Sequence, residues 1–280
     1  MGYRLSAFAD EASKNVNEQI KAMNRNGISL LEIRGVDGEN ISVISADKAR
    51  EVRRMLDDGG ISVWSMGSPV GKKALTDDFG PQIDTFKRLI ENAQILGASR
   101  IRLFSFYPTE GESRDETLKK TVERLSAFRE LTPKNIVLCH ENEKNIFGEN
   151  IENCLAIHKA LPDIKAVFDP ANFVQCGVDT LEAWRALRPY VDYLHIKDAL
   201  ADGTVVPAGK GMGNVEAIVS DYLANGGSVM TLEPHLKVFS GLSELEAGGE
   251  TLKTMGNVYK TNDEAFDAAV SALKNILSRI

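Results

Sequence analysis

The sequence predicts a single (β/α)8 barrel spanning residues 1–280, and three observations lead there. No stretch of the 280 residues reads as a linker: Gly and Pro occur as isolated turn signals, with no low-complexity or like-charge block. Eight short apolar, β-rich runs alternate with longer stretches of helical periodicity, the pattern of βα units and a parallel sheet. Eight units over this length give about 35 residues each, the size of one unit in such a barrel. Two domains of ordinary size would also fit the length, so it is the alternation that decides. A doubly wound open sheet is the structural alternative, but it usually carries a glycine fingerprint after its first strand, and Phe8-Ala9-Asp10-Glu11-Ala12 is not one.

The expected strands are Arg4 to Phe8, Leu30 to Ile33, Ile61 to Met66, Arg100 to Phe106, Ile136 to Glu141, Lys165 to Asp169, Val191 to Ile196 and Val229 to Glu233. Helical periodicity runs from about Asp115 through Leu118, Val122, Leu125 and Phe128 to Leu131, and must stop before Pro133. In the last segment Ala265, Ala268, Ala269, Leu273, Ile276 and Leu277 share a face, with Asn262 as the expected cap and Asp263 and Glu264 in the first turn. Gly27, Gly60, Gly97 and Gly226 stand where a helix must end and the chain turn back into the sheet.

Composition removes several classes. With 33 basic against 40 acidic side chains, a net charge of −7 and no basic block, the chain lacks the footprint that nucleic acid demands. No apolar run approaches the roughly 18 residues that span a bilayer. Met1 to Asp10 does not read as a signal peptide. Cys139, Cys154 and Cys176 are an odd, widely spaced set without CxxC, which fits buried thiols in a reducing cytoplasm. The expectation is a cytoplasmic protein, able to form a homo-oligomer, that acts on a small molecule rather than on nucleic acid or membrane.

In a barrel the carboxyl ends of the strands share one rim, where the active site is built. The last four strands end on Glu141, Asp169, His195 and Glu233, each able to bind a metal. Any one of them could be a polar residue meeting solvent at a strand end. Three carboxylates and one imidazole converging on one rim need a cation or protons to offset them, and a cation is the simpler account. An oxygen-rich shell with one imidazole suits Mn²⁺ or Mg²⁺, with Co²⁺ and Zn²⁺ as further choices.

The local words HENE (140–143), FDPANF (168–173), HIKD (195–198) and LEPH (232–235), in the order Glu, Asp, His, Glu at strand ends, resemble the sugar phosphate isomerase/epimerase group of the xylose isomerase-like TIM barrels. The resemblance covers nearly the whole chain and implies a divalent-metal-dependent sugar isomerase or epimerase, with Glu141, Asp169, His195 and Glu233 as metal ligands and Glu141 and Glu233 as its acid/base pair. Proton removal beside a carbonyl needs a base, and an electrophile must stabilise the developing enediolate oxygen. Two carboxylates on opposite faces give epimerisation, and one shuttling base gives aldose/ketose isomerisation. The chain departs from the group's ketose epimerases at Asn172, where they place a His three residues after the metal-binding Asp. An amide can bind a sugar hydroxyl but cannot change charge near neutral pH.

Lys197, Asn172, Glu32, Arg34 and Trp64 are the candidate substrate contacts, read against bland alternatives: a Lys197–Asp198 pair, a Glu32/Arg34 ion pair, a core Trp. The Gly209-Lys210-Gly211-Met212-Gly213 loop is a weak phosphate-site candidate. His140 has the opposite strand parity to Glu141 and is expected to pack outward, His158 to lie on the surface. Competing functions are a metal-assisted dehydratase of the keto-inositol type, a Schiff-base aldolase using Lys197, and a sugar-binding barrel without turnover.

Overall fold

The computed structural model describes residues 2–239, 253–256 and 258–280. Eight strands form a closed barrel: β1 (Arg4–Ala7), β2 (Leu30–Ile33), β3 (Ser62–Gly67), β4 (Arg100–Leu103), β5 (Val137–Glu141), β6 (Lys165–Phe168), β7 (Val191–Ile196) and β8 (Val229–Leu232). Every neighbouring pair is parallel, and order around the barrel follows order in the chain until β8 closes on β1. This is the single (β/α)8 barrel that the alternation predicts.

The connecting helices are α1 (Val16–Arg25), α2 (Ala46–Asp58), α3 (Gly80–Leu96), α4 (Arg114–Leu131), α5 (Ile151–Ala160), the short α6 (Pro170–Gln175), α7 (Thr180–Leu187), α8 (Val215–Ala224) and α9 (Asn262–Leu277). Most begin on a side chain that accepts orphan N–H groups. Ser113 caps α4, with Glu116 completing a capping box. The last helix is capped one residue earlier than expected: Thr261 is the cap and Glu264 its partner, while Asn262 is the first helical residue. Helix α3 ends on Gly97 at φ 73°, the left-handed geometry that lets the chain reverse into β4.

Two apolar clusters hold the fold. The larger fills the layer between strands and helices, from Ala7, Leu31, Ile33, Met66 and Ile101 outward to Phe86, Phe128, Ile157 and Leu273. The smaller consists of Leu30, Cys139, Val167, Tyr193 and Val229, with Trp64 and Val137 against it. Its members have the alternate strand parity, so they plug the barrel interior. On the same inward rows come Glu32, Glu141, Asp169 and His195, each two residues further on, and Glu233, four after Val229, while Arg102 stands inward on β4; all are buried. The barrel interior is therefore apolar in its middle layers and charged at the rim above.

Two thiols, Cys139 and Cys154, are buried, and no disulfide joins any of the three cysteines. His140 faces away from the barrel axis as expected and packs edge-on against His158 on α5, with centroids 5.6 Å apart. His158 corrects the sequence reading: it is buried, its Nδ1 lies 3.0 Å from the carbonyl of Ile164, and it stacks on Tyr190. No helix among the described residues is long and apolar enough to cross a membrane.

Candidate metal centre

Glu141, Asp169, His195 and Glu233 come together as the strand ends predict. Each offers one ligand atom, all four atoms lie within 4.8 Å of one another, and all four residues are buried. Local backbone explains the aim of two of them. Asp169 follows β6 and caps α6, its Oδ1 accepting the N–H of Asn172 at 2.9 Å, which leaves Oδ2 for the site. His195 sits in β7 between opposing carboxylates: Nε2 is 3.1 Å from Glu32 Oε2, and Nδ1 is 3.0 Å from Glu141 Oε1 and 3.5 Å from Glu233 Oε2. With a carboxylate on each nitrogen the imidazole is held as the cation; were a metal to displace the Nδ1 proton, Glu32 would keep the other on Nε2 and so fix the tautomer that a metal ligand needs.

Counter-charges come from the rest of the rim. Arg34 pairs with Asp10 through Nε at 2.8 Å and Nη2 at 3.1 Å, and also reaches Glu11 and Glu233. Arg102 Nη1 donates to Glu141 Oε2 at 2.8 Å. Lys197 Nζ lies 2.9 Å from Asp169 Oδ2 and 3.0 Å from Glu233 Oε2, and Lys72 reaches Glu143 at 2.9 Å. Arg34, Arg102, Lys197 and His195 tie Asp10, Glu11, Glu32, Glu141, Asp169 and Glu233 into one network, and the charge of Lys197 is also felt at Glu143, the partner of Lys72. In the metal-free site protons offset the crowded carboxyl groups, and a bound cation could take their place.

The titration behaviour has the same origin. Burial pushes Asp169 up to about 7, against Lys197 and with help from Glu233 and Glu141. Burial likewise lifts Glu11 to about 8, outweighing Arg34. For Glu233 burial acts upward too, but Lys197, His235 and His195 together hold it well below the usual carboxylate range. Burial disfavours protonated His195, yet Glu141 and Glu32 carry its pKa well above the ordinary value.

The donor set fits a divalent ion. Asp169 Oδ2 is buried and accepts no hydrogen bond, despite its nearness to Lys197, and His195 Nδ1 is oriented toward Glu141 and Glu233. Oxygen-rich ligands with one imidazole match Mn²⁺, Mg²⁺, Co²⁺ or Zn²⁺.

The candidate substrate contacts divide. Lys197, Arg34 and Asn172 are at the rim, but each is engaged by protein groups. Lys197 pairs with Asp169 and Glu233 rather than Asp198. Asn172 Nδ2 donates to Glu141 Oε1 at 3.3 Å and to the carbonyl of Asn142 at 2.9 Å, so the amide positions Glu141. Glu32 is fully buried beneath the rim, accepting from Tyr193 Oη at 2.8 Å as well as holding His195, so its two oxygens are engaged by the protein. Trp64 is a correction. It is the extra residue of a bulge, since β2 runs Leu31 against Val63 and then Glu32 against Ser65. Its ring lies under Arg100, 3.9 Å away, and near Arg4, residues that begin their strands. It lines a cavity of about 580 Å³ with Arg100 and Asp192, at the opposite end of the barrel from Glu233.

The Gly-rich loop is a second correction. Its N–H groups do converge, but on Asp198: Oδ2 accepts from Gly209 and Gly211 at 2.9 Å, and Oδ1 from Gly213 at 2.8 Å. A Cβ on Gly211 would fall 2.3 Å from Asp198 Oδ1. The anion in this nest is the protein's own.

Sequence reasoning missed Asp10, Glu11, Arg102 and Tyr193. A charged residue on the inward parity of an apolar strand, as in Arg100-Ile101-Arg102-Leu103, was the signal for Arg102.

A closed (β/α)8 barrel with a carboxylate–imidazole cluster at the carboxyl ends of its last four strands belongs to the barrels that build their chemistry on that rim. The chain is a member of the xylose isomerase-like TIM barrel family, whose model matches residues 20–255. No curated protein matches it by sequence. Among solved structures it is similar to the probable 3-DHS dehydratase AsbF of Bacillus anthracis (17% identity, TM-score 0.71, covering 100% of both chains). It is also similar to IolI with a bound zinc atom (18%, TM-score 0.73, covering 99% of this chain and 98% of that one). A third is a D-psicose 3-epimerase determined with D-fructose (16%, TM-score 0.70, covering 97% of both). At such identities the likeness is one of fold.

Proposed function

We propose that the protein is a divalent-metal-dependent isomerase or epimerase of a sugar or sugar derivative. The observation that carries this reading is the convergence of Glu141 and Glu233, from β5 and β8, on one imidazole nitrogen of His195 beside Asp169. Glu141, Asp169, His195 through Nδ1, and Glu233 would hold the ion. When bound, it supplies a Lewis acid that polarises a substrate carbonyl and its neighbouring hydroxyl.

The protein's own groups handle the proton. Glu233, kept ionised by Lys197, can take a proton from carbon beside the carbonyl, and Glu141, held in place by Asn172 and Arg102, can return one from across the barrel. That sequence inverts a centre; a single carboxylate carrying the proton between adjacent carbons interconverts aldose and ketose. Asn172 spends its amide on Glu141, so proton transfer rests with the two glutamates.

The Schiff-base aldolase loses support because Lys197 is clamped between two carboxylates as an ammonium, whereas imine formation needs the neutral amine. A dehydratase shares the first proton abstraction. A non-catalytic barrel is disfavoured by the presence of both carboxylates in one cluster.

The test is metal analysis, followed by incubation of the loaded enzyme in D₂O with a panel of ketoses and keto-inositols. Deuterium at the carbon beside the carbonyl with an epimeric or isomeric product is expected, abolished in both Glu141→Gln and Glu233→Gln. Loss of water from substrate would reassign the enzyme as a dehydratase, and full activity in both variants would refute the carboxylate pair.

A further inference from the structure

Just after Glu233 the backbone makes an unfavourable turn. His235 has φ 45°, the left-handed region that a residue with a side chain seldom enters. Its N–H donates to Glu11 Oε2 at 2.6 Å, and its ring lies parallel to Phe239, centroids 5.5 Å apart and planes at 11°. The imidazole is 5% exposed and points between two carboxylates, Nε2 lying 3.4 Å from Glu11 Oε1 and 3.6 Å from Glu233 Oε1. Neither ring nitrogen makes a hydrogen bond. The two facing oxygens are already engaged by Arg34, at 3.1 Å and 3.3 Å. Buried polar groups normally find partners, and backbone strain gathers at ligand clamps. Here both coincide beside the proposed base.

We propose that His235 is a specificity-determining residue whose ring hydrogen-bonds one hydroxyl group of an uncharged polyhydroxy substrate held against Glu233. The inference rests on the sugar reading above and adds a recognition contact to it. A hydroxyl both donates and accepts, so it can satisfy an imidazole nitrogen in either role and turn its remaining capacity toward a carboxylate. A phosphate or carboxylate group would instead be placed beside the ionised Glu233. The competing occupant is a second metal ion, because Glu11, Glu233 and His235 offer ligand atoms within 4.8 Å of one another. Arg34 already supplies positive charge to two of those three groups, and a divalent ion there would be set against its guanidinium.

The experiment uses the full chain loaded with Mn²⁺, in native form and as His235→Gln and His235→Phe. Gln keeps a donor and an acceptor; Phe keeps the stack on Phe239. Equilibrium binding is titrated with D-fructose, D-tagatose and D-psicose and their monodeoxy analogues. His235→Phe should bind the best ketose roughly tenfold more weakly, with His235→Gln intermediate. One monodeoxy analogue should lose roughly tenfold on the native protein and nothing further on His235→Phe. Mn²⁺ titration should give one equivalent for all three proteins. A ketose that binds the native protein and His235→Phe equally overturns the inference alone. Two Mn²⁺ on the native chain and one on His235→Phe overturn it in favour of a metal ligand. Failure of the native protein to bind any of these ketoses overturns the ketose reading, and the inference with it.

Discussion

Glu32→Gln isolates the orientation of His195 from everything else in the site. Glu32 is fully buried and touches no proposed substrate position; its Oε2 fixes Nε2 of His195 at 3.1 Å, and its Oε1 accepts from Tyr193 at 2.8 Å. Gln preserves the shape and can keep an oxygen toward Tyr193, which turns its amide N–H₂ toward the imidazole. A donor opposite Nε2 makes that nitrogen the acceptor and moves the ring proton to Nδ1, the atom that faces Glu141 and Glu233. The lone pair needed by a metal is then consumed. Loss of one charge-assisted hydrogen bond is worth about 1.5–3 kcal/mol, which is roughly 10- to 100-fold in metal affinity. The assay is competition of metal-free protein with a chromophoric chelator for Mn²⁺ or Zn²⁺, with ¹⁵N shifts of His195 reporting the tautomer. Affinity within twofold of native, or an unchanged tautomer, would refute the reasoning.

Two further outcomes follow from groups around the cluster. Burial raises Glu11 from 4.5 to about 8, so the folded state favours its protonated form; the stability it contributes is present below about pH 4.5 and lost as pH rises toward 8. In the metal-free protein Glu11→Gln should match native stability at pH 5 and exceed it by up to about 4 kcal/mol at pH 8.5, and urea unfolding that shows the same gap at both pH values would count against this. Trp64→Ala should cost about 2–4 kcal/mol of stability through lost packing under Arg100 and against the interior cluster, with KM unchanged in steady-state assays; a large rise in KM would put the ring back at the substrate.

Much of the barrel was legible because each strand is a short apolar run bounded by turn residues, and because order around the barrel repeats order in the chain. The four cluster residues were legible for a related reason: they terminate consecutive strands. The partners that hold them were harder to read. Parity along one strand tells which residues share a side, not how high each sits or what it meets across the interior. Glu32 and Tyr193, from β2 and β7, meet only because the barrel closes, and Trp64 was misjudged because the bulge in β3 breaks the simple alternation. His158 looked exposed beside Lys159, but α5 turns it under the chain at Ile164 and Tyr190. In the Gly-rich loop the convergent N–H groups were visible in composition, whereas the carboxylate filling them came from the end of another element.

The site divides along the chain. All four cluster residues come from the second half of the barrel, β5 to β8, together with Lys197 and Asn172, whereas Glu32, Arg34 and Arg102, which complete their orientation and neutralisation, come from the first half, β1 to β4. Neither half completes the cluster alone: the second would have Lys197 as its one lysine or arginine partner and an imidazole without its Glu32 anchor, the first a set of charges with nothing to hold. On the proposed metal reading, uptake of an ion should be a late event in folding, coupled to the β8–β1 and β4–β5 seams, so that metal affinity would double as a gauge of whether the two halves have closed on each other.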